Sequence, residues 1–193
     1  FAYRAFDIAD RYRMTVFILA DAYVGQMMEP VRVPAEPRRG PRKDWAVYGD
    51  AASRANLLTS ILMDPAGLEA HNRRLREKYG RRAAGLVELE ETATADAEVL
   101  FVAYGITARV CLSAVKRLRG RGVKVGLLRP KTLFPFPSKR IAELARAGAA
   151  RVVIAAELAA GQMAEDVELA VKGALPVLRY GWLGGVVPSE QEI

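Results

Sequence analysis

The sequence contains a single cysteine, Cys111, and a single histidine, His71, among its 193 residues. A disulfide needs two cysteines, an ordinary zinc site needs several Cys or His ligands, and a protein-bound iron–sulfur cluster needs about four cysteines. The composition excludes all three within this chain, so we expect any redox centre to sit on another chain. Cys111 falls on the apolar face of a predicted helix, which favours a small buried hydrophobe over a reactive thiol.

Long hydrophobic runs are also missing. A membrane-spanning helix needs about 18 to 20 apolar residues in sequence, whereas the longest runs here, near Val99 to Tyr104 and Arg151 to Ala156, have the length of strands. A hydrophobic content of 51% with a mean hydropathy of +0.04 predicts a globular protein with a substantial core. We expect a cytoplasmic protein with no membrane partner.

Acidic residues are fewer than basic ones, 22 against 29, which gives a formal net charge of +7. This balance predicts a surface that attracts anions such as phosphate-bearing ligands, nucleic acid or an acidic protein. The basic residues cluster around positions 38–43 and 73–82, without interleaved aromatic residues or a nucleic-acid-binding motif. We interpret these clusters as solvated surface and expect no nucleic-acid partner.

The first half of the chain reads as part of an α/β domain. The pattern predicts a helix over Phe1 to Arg13, a strand over Thr15 to Ala20, and an irregular excursion over 30–64 that is rich in proline and glycine. A second helix is expected from the Asp64-Pro65 start signal to Gly80. Because the chain opens on Phe1 inside a helical pattern, we expect it to be the C-terminal part of a longer polypeptide.

The second half alternates regularly between apolar strands and amphipathic helices, with strand starts about every 25 residues, the length of a βαβ unit. The near-continuous apolar strands favour a sheet covered on both faces. The sequence therefore predicts an α/β three-layer sandwich with a mostly parallel sheet. With an acidic, polar boundary at 88–96, the predicted domains are 1–92 and 93–193. The expected elements are strands at 99–104, 123–128, 151–156 and 176–180, and helices at 108–119, 138–147 and 162–173.

The corners that follow these strands carry the candidate functional residues, because ligands of such sheets meet the carboxyl ends of the strands. In the first corner, Gly105 provides a sharp turn, Thr107 could cap the following helix, and Arg109 lies in its first turn. A helix N-terminus with a nearby arginine can hold a carboxylate or a phosphate. The alternative is that Gly105 only turns the chain and Thr107 only caps the helix.

The second corner combines Arg129 and Lys131 with three prolines and two phenylalanines over residues 129–137. We interpret it as a docking element that presents Phe134 and Phe136. We further hypothesise that Arg109, Arg129 and Lys131 form one positive patch for an anionic ligand or an acidic partner.

The third corner begins at Glu157, which ends a buried strand and is followed by Gly161 and Gln162. A buried carboxylate needs a donor, and Arg109 or Arg129 from the neighbouring corners are the expected partners. Glu157 and Gln162 complete the candidate contacts. The sequence shows no phosphate-binding glycine loop, and the run Gly49-Asp50-Ala51 fails as a magnesium-diphosphate motif because its third position is not glycine.

Several segments, in order along the chain, resemble the alpha subunit of 2-oxoacid:ferredoxin oxidoreductases, and most closely the 2-oxoglutarate type. The long Arg-Pro-x-Thr-Leu-x-Pro-Phe-Pro run is the most specific of them. The segments are ILADAYVGQMMEP (18–30), LEAHNRRLREKY (68–79), VAYGITARV (102–110), VKVGLLRPKTLFPFP (123–137), ELAAGQMAEDV (157–167) and GGVVPSEQEI (184–193). One departure is Ala159, where the family commonly has asparagine.

The resemblance implies part of an enzyme that oxidatively decarboxylates a 2-oxoacid to an acyl-coenzyme A and reduces ferredoxin. It implies thiamin diphosphate, magnesium and an iron–sulfur cluster held by a partner beta subunit, with no metal on this chain. Residues 1–92 would be the end of a pyrimidine-binding domain and 93–193 a domain similar to the C-terminal domain of transketolase. The catalytic residues would lie upstream of Phe1 and on the partner, so this chain alone would be inactive.

Two alternatives remain open at this point. The chain could belong to another thiamin enzyme with a similar C-terminal domain, such as a transketolase or the beta chain of a 2-oxoacid dehydrogenase. It could also be a basic α/β binding module without catalytic activity, for which salt-dependent binding to generic DNA would be the signature.

Overall fold

The computed structural model describes residues 1–33, 40 and 42–193. Part of the predicted irregular stretch 30–64, and of the basic cluster around 38–43, lies outside the described residues. The helices are α1 (Ala2–Tyr12), α2 (Ala22–Gln26), α3 (Pro65–Arg82), α4 (Gly105–Arg119), α5 (Ser138–Arg146) and α6 (Gln162–Val171). The strands are β1 (Leu89–Thr92), β2 (Val99–Ala103), β3 (Val125–Pro130), β4 (Val152–Glu157) and β5 (Val177–Gly181). Short 3-10 helices cover Ser53–Asn56 and Ala83–Leu86.

The chain divides into two compact units. The first comprises Phe1–Leu19 and Met28–Arg82, and the second comprises Ala20–Met27 and Ala83–Ile193. The boundary predicted after residue 92 differs from this division, because β1 pairs with β3 and so belongs to the sheet of the second unit. None of the helices that the structure describes combines the length and the apolar character needed to cross a membrane.

The helices of the first unit follow the sequence pattern. α1 matches the helix expected over Phe1 to Arg13. α3 begins at Pro65 as predicted, because the Asp64 carboxylate accepts a hydrogen bond from the backbone N–H of Gly67 at 2.6 Å, and it extends two residues beyond the expected end at Gly80.

The strand predicted over Thr15 to Ala20 is wrong for the structure as described. These residues form neither helix nor strand. A strand exists only when its backbone groups pair with a neighbour, and no described segment pairs with this one.

The sheet of the second unit has the order β1-β3-β2-β4-β5. The central strand β2 is parallel to β3 on one side and to β4 on the other, and β4 is parallel to β5. Of the five strands that the structure describes, only β1 is antiparallel, and it lies at one edge. This arrangement confirms the mostly parallel sheet that the repeated strand–helix pattern predicts.

The two faces of the sheet are covered by different helices. Alternate residues of β2 point to opposite faces, so Leu100 and Val102 pack with α5 and α6, whereas Phe101 and Ala103 pack with α4. The three-layer α/β sandwich is therefore confirmed, and its apolar strands are buried because helices lie on both sides.

Strand β1 is absent from the sequence prediction, which treats residues 88–96 as a boundary segment. Its central residues are both charged, and each is held by cations on a different face of the sheet. Glu90 pairs with Arg129 and Lys131, while Glu91 pairs with Arg140 of α5. A short, charged strand is typical of a sheet edge, where no apolar alternation marks it.

The strand order reverses between β2 and β4. From β2 the chain continues through α4 to β3 on one side, and from β4 it continues through α6 to β5 on the other. In a parallel sheet, the crevice at such a reversal lies at the carboxyl ends of the two strands. The corners after Ala103 and Glu157 therefore lie next to each other, and they form the candidate site.

Candidate functional site at the carboxyl edge of the sheet

The corner after β2 is held by an aspartate from far upstream. The Asp21 carboxylate accepts hydrogen bonds from the backbone N–H of Ile106 at 2.8 Å and from that of Val24 at 2.7 Å. One carboxylate thus caps the N-termini of both α4 and α2, where unpaired N–H groups and the helix dipole favour negative charge. Sequence reasoning missed Asp21, because a side chain can signal a cap for its own helix but not for one that lies 85 positions away.

The turn at Gly105 depends on glycine for two reasons. Its φ of +59° is a backbone conformation that other residues rarely adopt. A Cβ at this position would also collide with the Asp21 carboxylate oxygen. The absence of a side chain therefore lets Asp21 approach the helix, which explains why the chain turns here on glycine.

Thr107 does not cap α4, so this part of the prediction is wrong. Its hydroxyl is buried and donates a hydrogen bond to the carbonyl oxygen of Tyr104 at 2.6 Å. The helix begins two residues before Thr107, at Gly105, so Thr107 already lies inside the first turn. Its hydroxyl therefore satisfies a backbone acceptor instead of a backbone donor.

Glu157 is 1% exposed, and its two carboxylate oxygens accept hydrogen bonds from backbone N–H groups. The donors are Ala164 at 2.9 Å and Met163 at 3.1 Å, both in the first turn of α6. These contacts replace the arginine partners that the sequence predicts, because the first turn of α6 offers unpaired donors within reach of the end of β4.

The crevice between β2 and β4, where the strand order reverses, is therefore lined by the chain's own carboxylates. Asp21 occupies the N-terminus of α4 and Glu157 occupies that of α6. The sequence predicts that the first corner can hold a carboxylate or a phosphate, and the carboxylate found there is the side chain of Asp21. Burial raises the pKa of the neighbouring Tyr104 phenol, and the negative charges of Glu157 and Asp21 raise it further. Tyr104 consequently stays a neutral hydrogen-bond donor through the physiological range.

A pocket of about 270 Å³ opens beside Glu157, between the carboxyl ends of β4 and β5. Among the described residues that line it, Arg179 is the only cation, and it binds Glu168 through two parallel hydrogen bonds of 2.8 and 2.6 Å. Hydrogen bonding to Glu168 occupies the Arg179 guanidinium and raises the pKa of Arg179. Gln162 begins α6 and is exposed. The pocket is lined by Glu157, Ala159, Ala160, Gly161, Arg179, Tyr180, Gly181 and Leu183.

The structure brings two of the three patch residues together around a carboxylate. Glu90 binds Arg129 at 3.1 Å and Lys131 at 2.5 Å. Hydrogen bonding to Lys131, together with the charges of both cations, lowers the Glu90 pKa. Arg109 is half-buried and lies in the second turn of α4, because the helix begins at Gly105, three residues before the start expected from the sequence. Because Arg129 and Lys131 share the Glu90 carboxylate, the three side chains together carry about one net positive charge. This charge is smaller than the three positive charges of the predicted patch.

The proline-rich corner presents one phenylalanine instead of two. Phe134 is 73% exposed, whereas Phe136 packs against the core beneath α5 and α6. Pro137 is fully buried and leads directly into α5. The corner therefore anchors itself through Phe136 and leaves Phe134 as the exposed apolar group of the predicted docking element.

The described residues do not fit a magnesium diphosphate. No group of three His, Cys, Asp or Glu side chains among them is arranged to hold a metal ion. The N-termini of α4 and α6 are filled by internal carboxylates, which would repel a phosphate. Cys111 is fully buried, and burial raises its thiol pKa to about 12, so it offers no reactive group.

Comparison with known proteins connects this arrangement to a family. The sequence pattern of the pyruvate:ferredoxin oxidoreductase core domain II family matches residues 97–193. This range begins at the buried Ala97 and contains β2 to β5 with the helices that cover them. It therefore includes both corners of the candidate site.

Two curated relatives extend the match into the first unit. The ketoisovalerate oxidoreductase subunit VorB of Methanothermobacter marburgensis is 50% identical over 182 residues, which cover 94% of this chain and 51% of that protein. The 2-oxoglutarate synthase subunit KorA of Methanothermobacter thermautotrophicus is 29% identical over 222 residues, covering 100% of this chain and 58% of that protein. The chain spans somewhat more than half the length of these relatives.

A solved structure supports the fold. The 2-oxoglutarate:ferredoxin oxidoreductase from Magnetococcus marinus superimposes with a TM-score of 0.57 at 23% identity, covering 67% of this chain and 22% of that one. The family match and the relatives agree with the resemblance seen in the sequence, except that they leave the 2-oxoglutarate type open. The chain belongs to the pyruvate:ferredoxin oxidoreductase core domain II family of the 2-oxoacid:ferredoxin oxidoreductases.

Proposed function

We propose that this chain forms part of an enzyme that oxidatively decarboxylates a branched-chain 2-oxoacid, forms the acyl-coenzyme A and reduces ferredoxin. The observation that carries the proposal is the 50% identity to the ketoisovalerate subunit over 94% of the chain. The identity to a 2-oxoglutarate subunit is lower, 29%. The branched-chain substrate therefore replaces the 2-oxoglutarate expected from the sequence resemblance as the first candidate, and 2-oxoglutarate stays the second.

The role proposed for this chain is to position the cofactor and the substrates, while its own side chains take no part in the chemical step. Thiamin diphosphate and magnesium would be held outside it, together with the iron–sulfur cluster, on the partner beta subunit. The single cysteine and the filled helix N-termini support this division. Residues 1–92 would end the pyrimidine-binding domain, and the complex would act in the cytoplasm. The bound thiamin cofactor would supply the carbanion chemistry of decarboxylation.

What the chain's own residues contribute is a rigid carboxyl edge. The internal caps by Asp21 and Glu157 fix the β2–α4 and β4–α6 corners without using an external ligand. Arg109, Arg129, Lys131 and Gln162, which lie around this edge, are the proposed contacts to coenzyme A phosphates or to an acidic ferredoxin.

The test is a substrate comparison with the complete multi-subunit enzyme. Ferredoxin reduction that depends on coenzyme A is measured with 2-oxoisovalerate, 2-oxoglutarate and pyruvate, and we expect the highest kcat/KM with 2-oxoisovalerate. A higher kcat/KM with 2-oxoglutarate would move the protein to the second candidate. Turnover with NAD or an aldehyde acceptor, but none with ferredoxin, would overturn the proposal in favour of another thiamin enzyme.

A further inference from the structure

Strand β5 forms one edge of the sheet, and among the strands that the structure describes it pairs only with β4. The backbone N–H of Trp182 donates to the carbonyl oxygen of Glu157 at 3.1 Å. The carbonyl oxygen of Pro176 accepts a hydrogen bond from the N–H of Val153 at 3.0 Å. In a parallel ladder, alternate residues of a strand direct their backbone groups to the same neighbour. The residues between them turn their N–H and C=O groups to the free edge, and these residues are Val177, Arg179 and Gly181.

Two apolar side chains of β5 are exposed, although they lie on the face of the sheet that α4 covers at its centre. Leu178 and Tyr180 are in register with Ile154 and Ala156 of β4, which belong to that face. Leu178 is 53% exposed and Tyr180 is 44% exposed. An edge strand that combines unpaired backbone groups with exposed apolar side chains is a template for pairing with another strand.

The opposite edge strand, β1, differs from β5 in its side chains. Its central residues Glu90 and Glu91 are both charged, and each is held by a cation of the same chain. A second copy that paired with β1 would bring these glutamates together, and charged residues on an edge strand oppose such pairing. Of the two edges of this sheet, β5 is therefore the one suited to association.

We propose that two copies of this chain associate through their β5 strands, which pair antiparallel about a two-fold axis beside Arg179. Arg179 is the middle one of the three residues whose backbone groups face the free edge. Centring the axis on it pairs all of these groups, because Arg179 faces Arg179 of the second copy and Val177 faces Gly181 of the second copy. A two-fold interface is self-complementary, so each of these contacts occurs twice. This inference goes beyond the proposed function and does not depend on the substrate.

The exposed side chains complement each other in this register. Leu178 of each copy lies opposite Tyr180 of the other, on the same face of the joined sheet. The two residues form a pair that is not hydrogen-bonded, in which the Cα atoms are about 4.5 Å apart and the side chains touch. Aliphatic–aromatic contacts of this kind are among the cross-strand pairs that stabilise sheets. The association therefore covers the apolar surface that each β5 leaves exposed.

The charges at the centre of this interface are self-complementary as well. The Arg179 side chains of the two copies would be neighbours on the other face of the sheet. Each Arg179 is bound by Glu168 through two hydrogen bonds and lies 3.8 Å from Glu165, whose side chain is 68% exposed. Two copies thus bring two guanidinium groups among four carboxylates. The carboxylates offset the repulsion between the arginines, and Glu165 of each copy is available to the Arg179 of the other.

The first experiment is cysteine cross-linking in the complete multi-subunit enzyme. Leu178→Cys and Tyr180→Cys are combined in one variant, which is then treated with a mild oxidant. A Cα separation of about 4.5 Å lies within the range of a disulfide. We therefore expect this chain to run at twice its mass on a non-reducing gel, with position 178 linked to position 180 in the peptide map. The native Cys111 is fully buried and does not contribute to the cross-link.

The two single variants are the controls for the cross-link. In the proposed register each position lies diagonally from its own counterpart, about 7–8 Å away, which is beyond the ordinary reach of a disulfide. We expect each single variant to form at least about 10-fold less linked chain than the double variant. The proposal is overturned if the double variant forms no linked pair of this chain, if the single variants link equally well, or if the disulfide joins another subunit.

The second experiment measures residue-resolved hydrogen exchange along β5 in the complete enzyme. The amides of Leu178 and Tyr180 face β4 and are protected in any case, whereas those of Val177, Arg179 and Gly181 are protected only when the edge is paired. We expect the second group to exchange at least about 10-fold more slowly in the wild type than in Leu178→Asp, which places a charge in the interface. Fast exchange of these three amides in the wild type would overturn the proposal.

Leu169→Asp is the matched control for the exchange experiment. Leu169 lies on α6 and is 71% exposed, so its replacement adds the same charge away from the edge strand. We expect the protection of Val177, Arg179 and Gly181 to stay at its wild-type level in this variant. An equal loss of protection in both variants would contradict the assignment of the interface to β5. Neither experiment uses enzymatic activity, so each can fail independently of the proposed function.

Discussion

The carboxylate of Asp21 accepts a hydrogen bond from the backbone N–H of Ile106 at 2.8 Å, across 85 positions of the sequence. Its other oxygen accepts one from Val24. The contact ties the short segment Ala20–Met27 to the first turn of α4, and this segment belongs to the second unit although its neighbours on both sides belong to the first. Asp21 therefore holds Ala20–Met27, the segment of the second unit that interrupts the first unit in sequence, against α4.

Replacing Asp21 should destabilise the second unit measurably. Asp21→Ala removes the cap of two helices, and each lost cap costs about 1 kcal/mol, so we expect a loss of about 1–2 kcal/mol in the free energy of unfolding. Urea denaturation followed by circular dichroism gives this value. Asp166→Ala is the control, because Asp166 is exposed on α6. A stability equal to that of the control would contradict the capping role.

A substitution at Gly105 tests the same contact from the other side. Gly105→Ala places a methyl group against the Asp21 carboxylate and forces alanine into a positive φ. We expect a loss of about 1–3 kcal/mol, since backbone strain and the collision add. In the Asp21→Ala background the collision is gone, so the same substitution should cost less. Full additivity in the double-mutant cycle would show that the two residues do not interact.

Substitution of Glu157 gives a sharper prediction. Its carboxylate is buried and accepts charge-assisted hydrogen bonds from two backbone N–H groups of α6. Glu157→Gln replaces one acceptor oxygen with an amide donor that faces the N–H groups of α6. We expect a loss of about 1.5–3 kcal/mol in the free energy of unfolding. Glu165→Gln, exposed on the first turn of the same helix, serves as the control. The measurement is again urea denaturation, and an unchanged midpoint for Glu157→Gln would rule out a structural role of this charge.

The pair of Glu91 and Arg140 predicts how stability depends on pH. Hydrogen bonding to Arg140 lowers the Glu91 pKa below its ordinary value of 4.5, against a smaller opposing effect of burial, and Thr94 adds a further hydrogen bond. A lowered folded-state pKa adds stability above about pH 4.5, and that stability is lost as the pH falls through the folded-state pKa. Glu91→Gln should therefore be less stable by about 0.5–1 kcal/mol at pH 7, the size expected of a partly exposed pair. The difference from the wild type should shrink as the pH falls below about 4.5, and a difference that does not change between pH 7 and strong acid would contradict this assignment.

Cys111 should be chemically inert in the folded chain. Its thiol lies on the face of α4 that packs against the sheet, and burial raises its pKa to about 12, so almost no thiolate is present at pH 8. We expect an aromatic disulfide reagent to detect no thiol before unfolding and one thiol per chain in denaturant. Rapid reaction under native conditions would show that this face of the sheet opens.

The sequence pattern predicted the sheet and its helices because each buried strand and amphipathic helix carries its own periodicity. The sequence pattern did not predict strand β1. Its residues Glu90 and Glu91 are stabilised by cations that lie elsewhere in the sequence, and a local pattern does not show such contacts. The site was predicted less well for the same reason. Glu157 was recognised as a buried carboxylate in need of donors, but the sequence does not show that the first turn of α6 reaches it before any arginine does.

The proposed positive patch can be tested with substitutions of opposite expected effect in the complete enzyme. Glu90 neutralises part of the charge of Arg129 and Lys131, so Glu90→Gln should strengthen the attraction of anions to this edge, whereas Arg129→Glu with Lys131→Glu should weaken it. We expect the KM for ferredoxin or coenzyme A to fall in the first variant and to rise in the second, with both differences shrinking at high salt. Arg151→Glu is a control, because Arg151 immediately precedes β4, at the opposite end of the strand from Glu157. If both patch variants keep the KM of the wild type and assemble normally, these cations serve only to hold the charged edge strand β1.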